Sequence, residues 1–261
     1  MERYPLDIVT LAPAALAAAL AHGVTGRAWQ SGLVRIRLWD LREFTRDPHR
    51  KVDDVPFGGG SGMVLMPEPM VLAAEHAISS RQEPEPPAVL VLAAAGRPFD
   101  QAMAMELARR PGGVVLLCGR YEGIDARVAP ALGAEEVAVG EMVLSAGEPA
   151  ALAIVDAVVR LLPGALGNPL SAAEESLAPG PSGGLLEYPQ YTRPRRFRSM
   201  EVPPVLLEGN HQAIAAWRRR QSLWLTWRRR PRLLEQAALD EQERALVERW
   251  RHELSPNDPP W

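Results

Sequence analysis

The sequence holds one cysteine, Cys118, and one lysine, Lys51, among 261 residues. A lone cysteine excludes a disulfide framework and a cysteine-based zinc site. A lone lysine, with no G-x-x-x-x-G-K-[ST] string, argues against a P-loop ATPase. No G-x-G-x-x-G opens a helix after a strand, so the usual dinucleotide-binding turn is missing. No His/Asp cluster has metal-ligand spacing. No apolar run approaches the roughly 18 residues of a membrane span. The early acids Glu2 and Asp7 do not suit a signal peptide. These absences lead us to expect a soluble, cytoplasmic protein with no membrane partner.

What is present has globular composition, 47% hydrophobic and 23% charged, with a net charge of -3. The charge is divided unevenly. Residues 1–190 carry 15 basic and 23 acidic groups, whereas residues 191–261 carry 14 arginines and 9 acids. An acidic body followed by an arginine-rich remainder suggests a phosphate-bearing partner. A genome that favours arginine over lysine would produce the same bias, so charge alone is weak support.

Along the first two-thirds, short β-branched runs alternate with alanine-rich helical stretches. Strands are expected at 6–10, 34–38, 88–92, 114–118 and 136–139. Helices are expected at 13–22, 68–79, 100–108 (capped by Asp100) and 149–162. This alternation predicts an α/β fold with a mainly parallel sheet over residues 1–162. Residues 163–187, crowded with proline and glycine, read as a flexible linker. Residues 188–254 read as a small helical domain, with helices at 210–227, 231–238 and 240–253, and 255–261 as a tail.

Three glycine-bearing stretches stand out: FGGGSGM (57–63), CGRYEGID (118–125) and VGEMVLSAGEP (139–149). Each follows or ends an expected strand, where open α/β sheets place ligands, and glycine lets backbone groups approach a ligand closely. The same residues carry a resemblance. DPHRKVDDVPFGGGSGMVLMPEP (47–69), LLCGRYEGIDARV (116–128), YPQYTRP (188–194) and EVPPVLLEGNHQAIAAWRRRQSL (201–223) closely resemble, in order, the bacterial tRNA (guanine-N1)-methyltransferase family, TrmD.

The resemblance implies a SPOUT-type parallel sheet with a deep trefoil knot and a small all-helical C-terminal domain. It implies a homodimer with its active sites at the interface. The reaction would move the methyl group of S-adenosylmethionine to N1 of the guanosine 3′ of the anticodon, tRNA position 37. Carried over, the cofactor pocket comprises Leu92, Ala93, Ala94 and Gly96, then Gly119, Tyr121, Glu122 and Gly123, then Val139, Gly140, Leu144 and Gly147. Glu187 would reach the cofactor across the dimer. Two departures fall here. Ala93–Ala94 replaces the family's Ser-Pro, and Ser145-Ala146-Gly147-Glu148-Pro149 replaces S-G-G-E-x-P. Because the family's contacts there are mostly main-chain, the pocket is expected to survive. Magnesium enters only through the family.

The catalytic pair falls on Arg160 and Glu175, where the family's acid is an aspartate. Guanine N1 holds its proton at neutral pH, so methylation needs a base, worth about 10²–10⁴-fold when positioned. Arginine would stabilise the charge left on the base. Glu174 is the alternative base, and weakened activity the third outcome. For tRNA, His49, Arg50, Gly59 and Gly60 border the expected guanosine pocket, and Arg193, Arg218, Arg219 and Arg220 are expected on the anticodon stem-loop. Trp217, Trp224 and Trp227 have helical spacing and read as core rather than stacking platforms. Two other readings stand beside this one: a knotted RNA methyltransferase of altered base specificity, and a non-catalytic RNA-binding module.

Overall fold

In a computed structural model, residues 3–168, 175–178 and 183–253 are described. Glu174, part of the PSGG stretch and the 255–261 tail lie outside them. The chain divides into two units, Met1–Gly167 and Asn168–Trp261.

The first unit is built on a parallel sheet of β1 (Tyr4–Thr10), β2 (Val34–Asp40), β5 (Ala88–Pro98), β6 (Val114–Cys118) and β7 (Glu135–Ala138), in the order β2-β1-β6-β5-β7. Strand alternation sends successive side chains to opposite faces. Leu6, Ile8, Leu116 and Leu90 therefore pack with α1 (Pro13–Leu20), α2 (Gly23–Gln30), α4 (Gln101–Ala108) and α6 (Glu148–Val159). Val9, Val91, Val115 and Leu117 pack on the other face with α3 (Pro67–Ser79) and α5 (Val128–Leu132). Both faces are covered, and this explains why the central strands read as unbroken apolar runs. β1 also buries Asp7 completely. Its carboxylate takes hydrogen bonds from Arg37 and Trp39 and an ion pair with Arg81 at 2.6 Å, which offsets the desolvation of the charge.

Several elements differ from expectation for local reasons. The single helix expected at 13–22 stops at Leu20, and α2 follows it. Gly23, Val24, Thr25 and Gly26 make a poor helix opening, so α2 left no sequence signal. Asp100 caps α4 as expected, accepting a hydrogen bond from the Met103 amide at 2.9 Å. A small antiparallel pair, β3 (Asp53–Asp54) with β4 (Val64–Leu65), brackets the loop at 55–63.

The second unit contains α7 (His211–Arg229), α8 (Arg232–Gln236) and α9 (Glu241–Glu253). Trp224, Trp227 and Trp250 form its core with Leu185, Leu223 and Val247, so Trp224 and Trp227 are core residues as their spacing suggested. The unit is not all-helical: β8 (Arg196–Phe197) pairs antiparallel with β9 (Met200–Glu201). Both described ends of the stretch expected as a linker carry core residues. Ala165 packs in the core of the first unit, while Leu185 is fully buried in that of the second. The proline- and glycine-rich composition concealed these two apolar residues.

Candidate active site

The loops after β6 and β7 and a break inside β5, the strand between them, enclose a cavity of about 460 Å³ at the carboxyl edge of the sheet. Its first wall is a break inside β5. Leu92 and Arg97 both pair with Val137, so residues 93–96 leave the ladder between them and their backbone groups are released from the sheet. Leu92, Ala93 and Ala94 line the cavity, whereas Gly96 does not. A Cβ on Gly96 would lie 2.3 Å from the Val137 amide nitrogen. Gly96 therefore lets the bulge close back onto β7.

The second wall is the turn Gly119–Gly123. Tyr121 has φ +58, a conformation side chains rarely adopt, and Tyr121 and Glu122 both line the cavity with the two glycines. The third wall runs from Val139 to Gly147 and includes Gly140 and Leu144. It is stitched to the second by the Gly147 amide donating to the Gly119 carbonyl at 2.7 Å and by a bridge between Arg120 and Ala146. A Cβ on Gly147 would meet the Cys118 Cα and the Gly119 nitrogen, each at 2.8 Å. The glycine needed in S-A-G-E is thus Gly147, and Ala146 is not among the described residues with positive φ.

Sequence reasoning passed over Arg120 and Thr10, and met Glu148 only as an acid within the third glycine-bearing stretch. Arg120 lines the cavity, and its Nε donates to Glu148 Oε1 at 3.1 Å. The same oxygen accepts from the Thr10 hydroxyl at 2.7 Å, deep in the sheet, and Glu148 Oε2 is buried without a hydrogen-bond partner among the described residues. The signal available was position: Glu148 stands in the first turn of α6, directly after the third wall, where the helix dipole favours a carboxylate. Cys118 is buried beside this group; burial pushes its thiol up, and the Glu148 charge adds to the shift.

The FGGGSGM loop is tied to the second wall. The Glu122 amide donates to the Met63 carbonyl, and the Leu65 amide to the Gly123 carbonyl, both at 3.0 Å. Gly62, at φ +88, lies under the Glu122 side chain, where a Cβ would fall 2.4 Å from its Oε1. Gly59 and Gly60 are exposed, and Phe57 is fully so. His49 and Arg50 are exposed on a turn organised by Asp47. That carboxylate accepts the His49 and Lys51 amides, which hold its pKa below the usual range.

Arg160 is not part of the cavity wall. It follows the last turn of α6, whose first turn borders the cavity. At 1.5 Å per residue the helix separates the two ends by about 18 Å. Glu175 and Glu187 belong to the second unit. There the segment at 175–178 runs beside 183–187, with the Leu177 amide donating to the Leu185 carbonyl and the Glu187 amide to Ser176 Oγ. Arg193, Arg218 and Arg220 are exposed, as a phosphate-binding role requires. Arg219 departs from that expectation. Its guanidinium donates twice to Glu243, at 2.6 and 3.0 Å, and is spent on joining α7 to α9. His211 opens α7, but the cap is Asn210, which accepts from the Ala213 amide.

Among the described residues, no group of three or more His, Cys, Asp or Glu could hold a metal ion, and no helix is long and apolar enough to cross a membrane. A family model described as tRNA (Guanine-1)-methyltransferase TrmD matches residues 4–236. A tRNA (guanine-N(1)-)-methyltransferase of Koribacter versatilis is 49% identical over 259 residues, covering 94% of this chain and 98% of the relative. That of Moorella thermoacetica is 47% identical over 243 residues, 93% and 95% of the two chains. That of Xanthomonas campestris is 46% identical over 253 residues, 97% and 98%.

Proposed function

The chain belongs to the TrmD family of tRNA (guanine-1)-methyltransferases, and from that membership we propose that the three-walled cavity holds S-adenosylmethionine. The target is N1 of the guanosine 3′ of the anticodon, tRNA position 37. The observation that carries this reading is the cavity itself. Its walls are apolar at Leu92, Val139 and Leu144 and have a released backbone at 93–96, a surface suited to a flat heterocycle held by main-chain groups. S-adenosylmethionine, when bound, supplies an electrophilic methyl group.

The chain's own residues supply the rest. Glu175 takes the proton from guanine N1, which frees the ring nitrogen's electron pair. Arg160 stabilises the negative charge that then spreads toward O6. Glu174 is the alternative base. The distance of about 18 Å along α6 supports a homodimer in which Arg160 serves the partner's cavity. The ties between the loops after β6 and β7, strands that flank β5, support a SPOUT knot. In this division of labour the first unit holds cofactor and target base, while the arginine-rich second unit grips the anticodon stem-loop and contributes Glu175 and Glu187.

The test is methyl transfer to two tRNA transcripts, with guanosine or adenosine 3′ of the anticodon. Incorporation is expected only into the first. Incorporation into both favours altered base specificity, and none, with cofactor binding intact, favours a binding module. Glu175→Gln is expected to lower kcat about 10²–10⁴-fold with cofactor affinity retained. Loss on Glu174→Gln alone would move the base one residue back.

A further inference from the structure

The second unit contains a cleft of about 490 Å³ that the reading above leaves without a role. One wall is the extended segment at 188–195; the other is the first half of α7 with the turn at Pro204–Leu206. Its chemistry is unusual for a sequence with 6% aromatics. Tyr188, Tyr191 and Trp217 are gathered there, with the Tyr191 and Trp217 ring centroids 6.2 Å apart, and Tyr191 is 47% exposed. Three arginines share the cleft. Arg218 lies 4.7 Å over the Tyr188 ring, and Arg193 and Arg195 stand on the opposite wall. Among the described residues no carboxylate pairs with any of these three. Neighbouring Arg196 and Arg219, by contrast, have Glu201 and Glu243.

A half-exposed aromatic ring, that of Tyr191, beside guanidinium groups that no carboxylate pairs forms the combination that holds an unpaired nucleotide. The base stacks on the ring, and the arginines take the flanking phosphates. The volume lies within the range of small-molecule sites, about 300–1,000 Å³. We propose that this cleft receives one unpaired nucleotide of the tRNA, stacked on Tyr191, as an anchor distinct from the target-base site. The proposal rests on the reading of the second unit as the tRNA grip. It adds to that reading a place where a base, rather than the backbone alone, is held.

The experiment measures tRNA KM and kcat for the full-length protein and its Tyr191→Ala, Tyr191→Phe, Arg218→Gln and Arg220→Ala variants. Each is checked for cofactor affinity, thermal unfolding and sedimentation. Tyr191→Ala is expected to raise the KM for tRNA about tenfold, within the effect of losing one base–aromatic stack. Its kcat should stay within about twofold, and Tyr191→Phe, which keeps the ring, should restore the KM. Arg218→Gln should raise the KM as well. A 4-thiouridine-substituted transcript should crosslink to the peptide spanning 188–195. The proposal falls if Tyr191→Ala leaves the KM within twofold while Arg220→Ala raises it; the grip would then stand without the cleft. If neither variant changes the KM, the assignment of tRNA binding to the second unit falls, and the cleft with it. A shift in sedimentation on Tyr191→Ala, with tRNA KM unchanged, would give the cleft to a second copy of the chain and overturn the proposal.

Discussion

At the scale of single residues, partners decide more than residue type. Arg218, Arg219 and Arg220 are consecutive and identical in the sequence, yet the fold gives them different work. Arg219 is tied to Glu243, whose carboxyl is held below the usual range chiefly by that hydrogen bond. A carboxyl with a depressed folded pKa contributes stability that is fully present above its unfolded value, near 4.3 for glutamate, and lost as pH falls through the folded one. Glu243→Gln is therefore expected to lower the melting temperature of the second unit at pH 7. The loss is about 1 kcal/mol after discounting for partial exposure, or a few degrees. The difference from the parent should shrink progressively in melts taken at pH values below the unfolded one, from about pH 4 downward. An undiminished difference there would mean that packing, not the ion pair, is responsible.

At the scale of elements, the cavity depends on backbone approaching backbone. Gly147 sits where α6 meets the second wall, and Gly96 where the β5 bulge returns to β7. A methyl group at either position meets main chain, which cannot rotate away, and such overpacking costs roughly 1–3 kcal/mol. Gly147→Ala and Gly96→Ala are each expected to weaken S-adenosylmethionine binding about tenfold or more by calorimetry, whereas Ala146→Gly should leave it nearly unchanged. The three walls were legible in the sequence because glycines gathered after apolar strand runs. What was not legible was which glycine each wall needs. Gly96 reads as part of a loop lining the pocket, but it is a contact that closes the bulge. The Thr10–Glu148–Arg120 group was also hidden, since its members come from β1, α6 and the turn after β6.

At the scale of the whole molecule, the opposed charges of the two stretches predict how tRNA binding responds to salt. Phosphate contacts release counterions, so affinity should fall steeply between low and physiological ionic strength. In filter-binding titrations, Arg220→Ala is expected to reduce the slope of log K against log salt by about one. Arg219→Ala should leave the slope unchanged, because Glu243 already neutralises that guanidinium. Equal slopes for both variants would contradict this assignment of the arginines.

The sequence by itself determined the α/β class, four of the five strands of the main sheet to within a few residues, the cap at Asp100, the core role of Trp224 and Trp227, and membership of the family through four ordered motifs. These are local patterns: period, capping and string identity. Only the tertiary structure decided the rest, which depends on distances between residues far apart in the chain. It turned the linker's Leu185 into core, spent Arg219 on Glu243, set Arg160 at the far end of α6 from the cavity, and drew Tyr188, Tyr191 and Trp217 around one cleft. The single cysteine and the single lysine showed early what this chain is not. Folding decided which of its many arginines are left free to meet a phosphate.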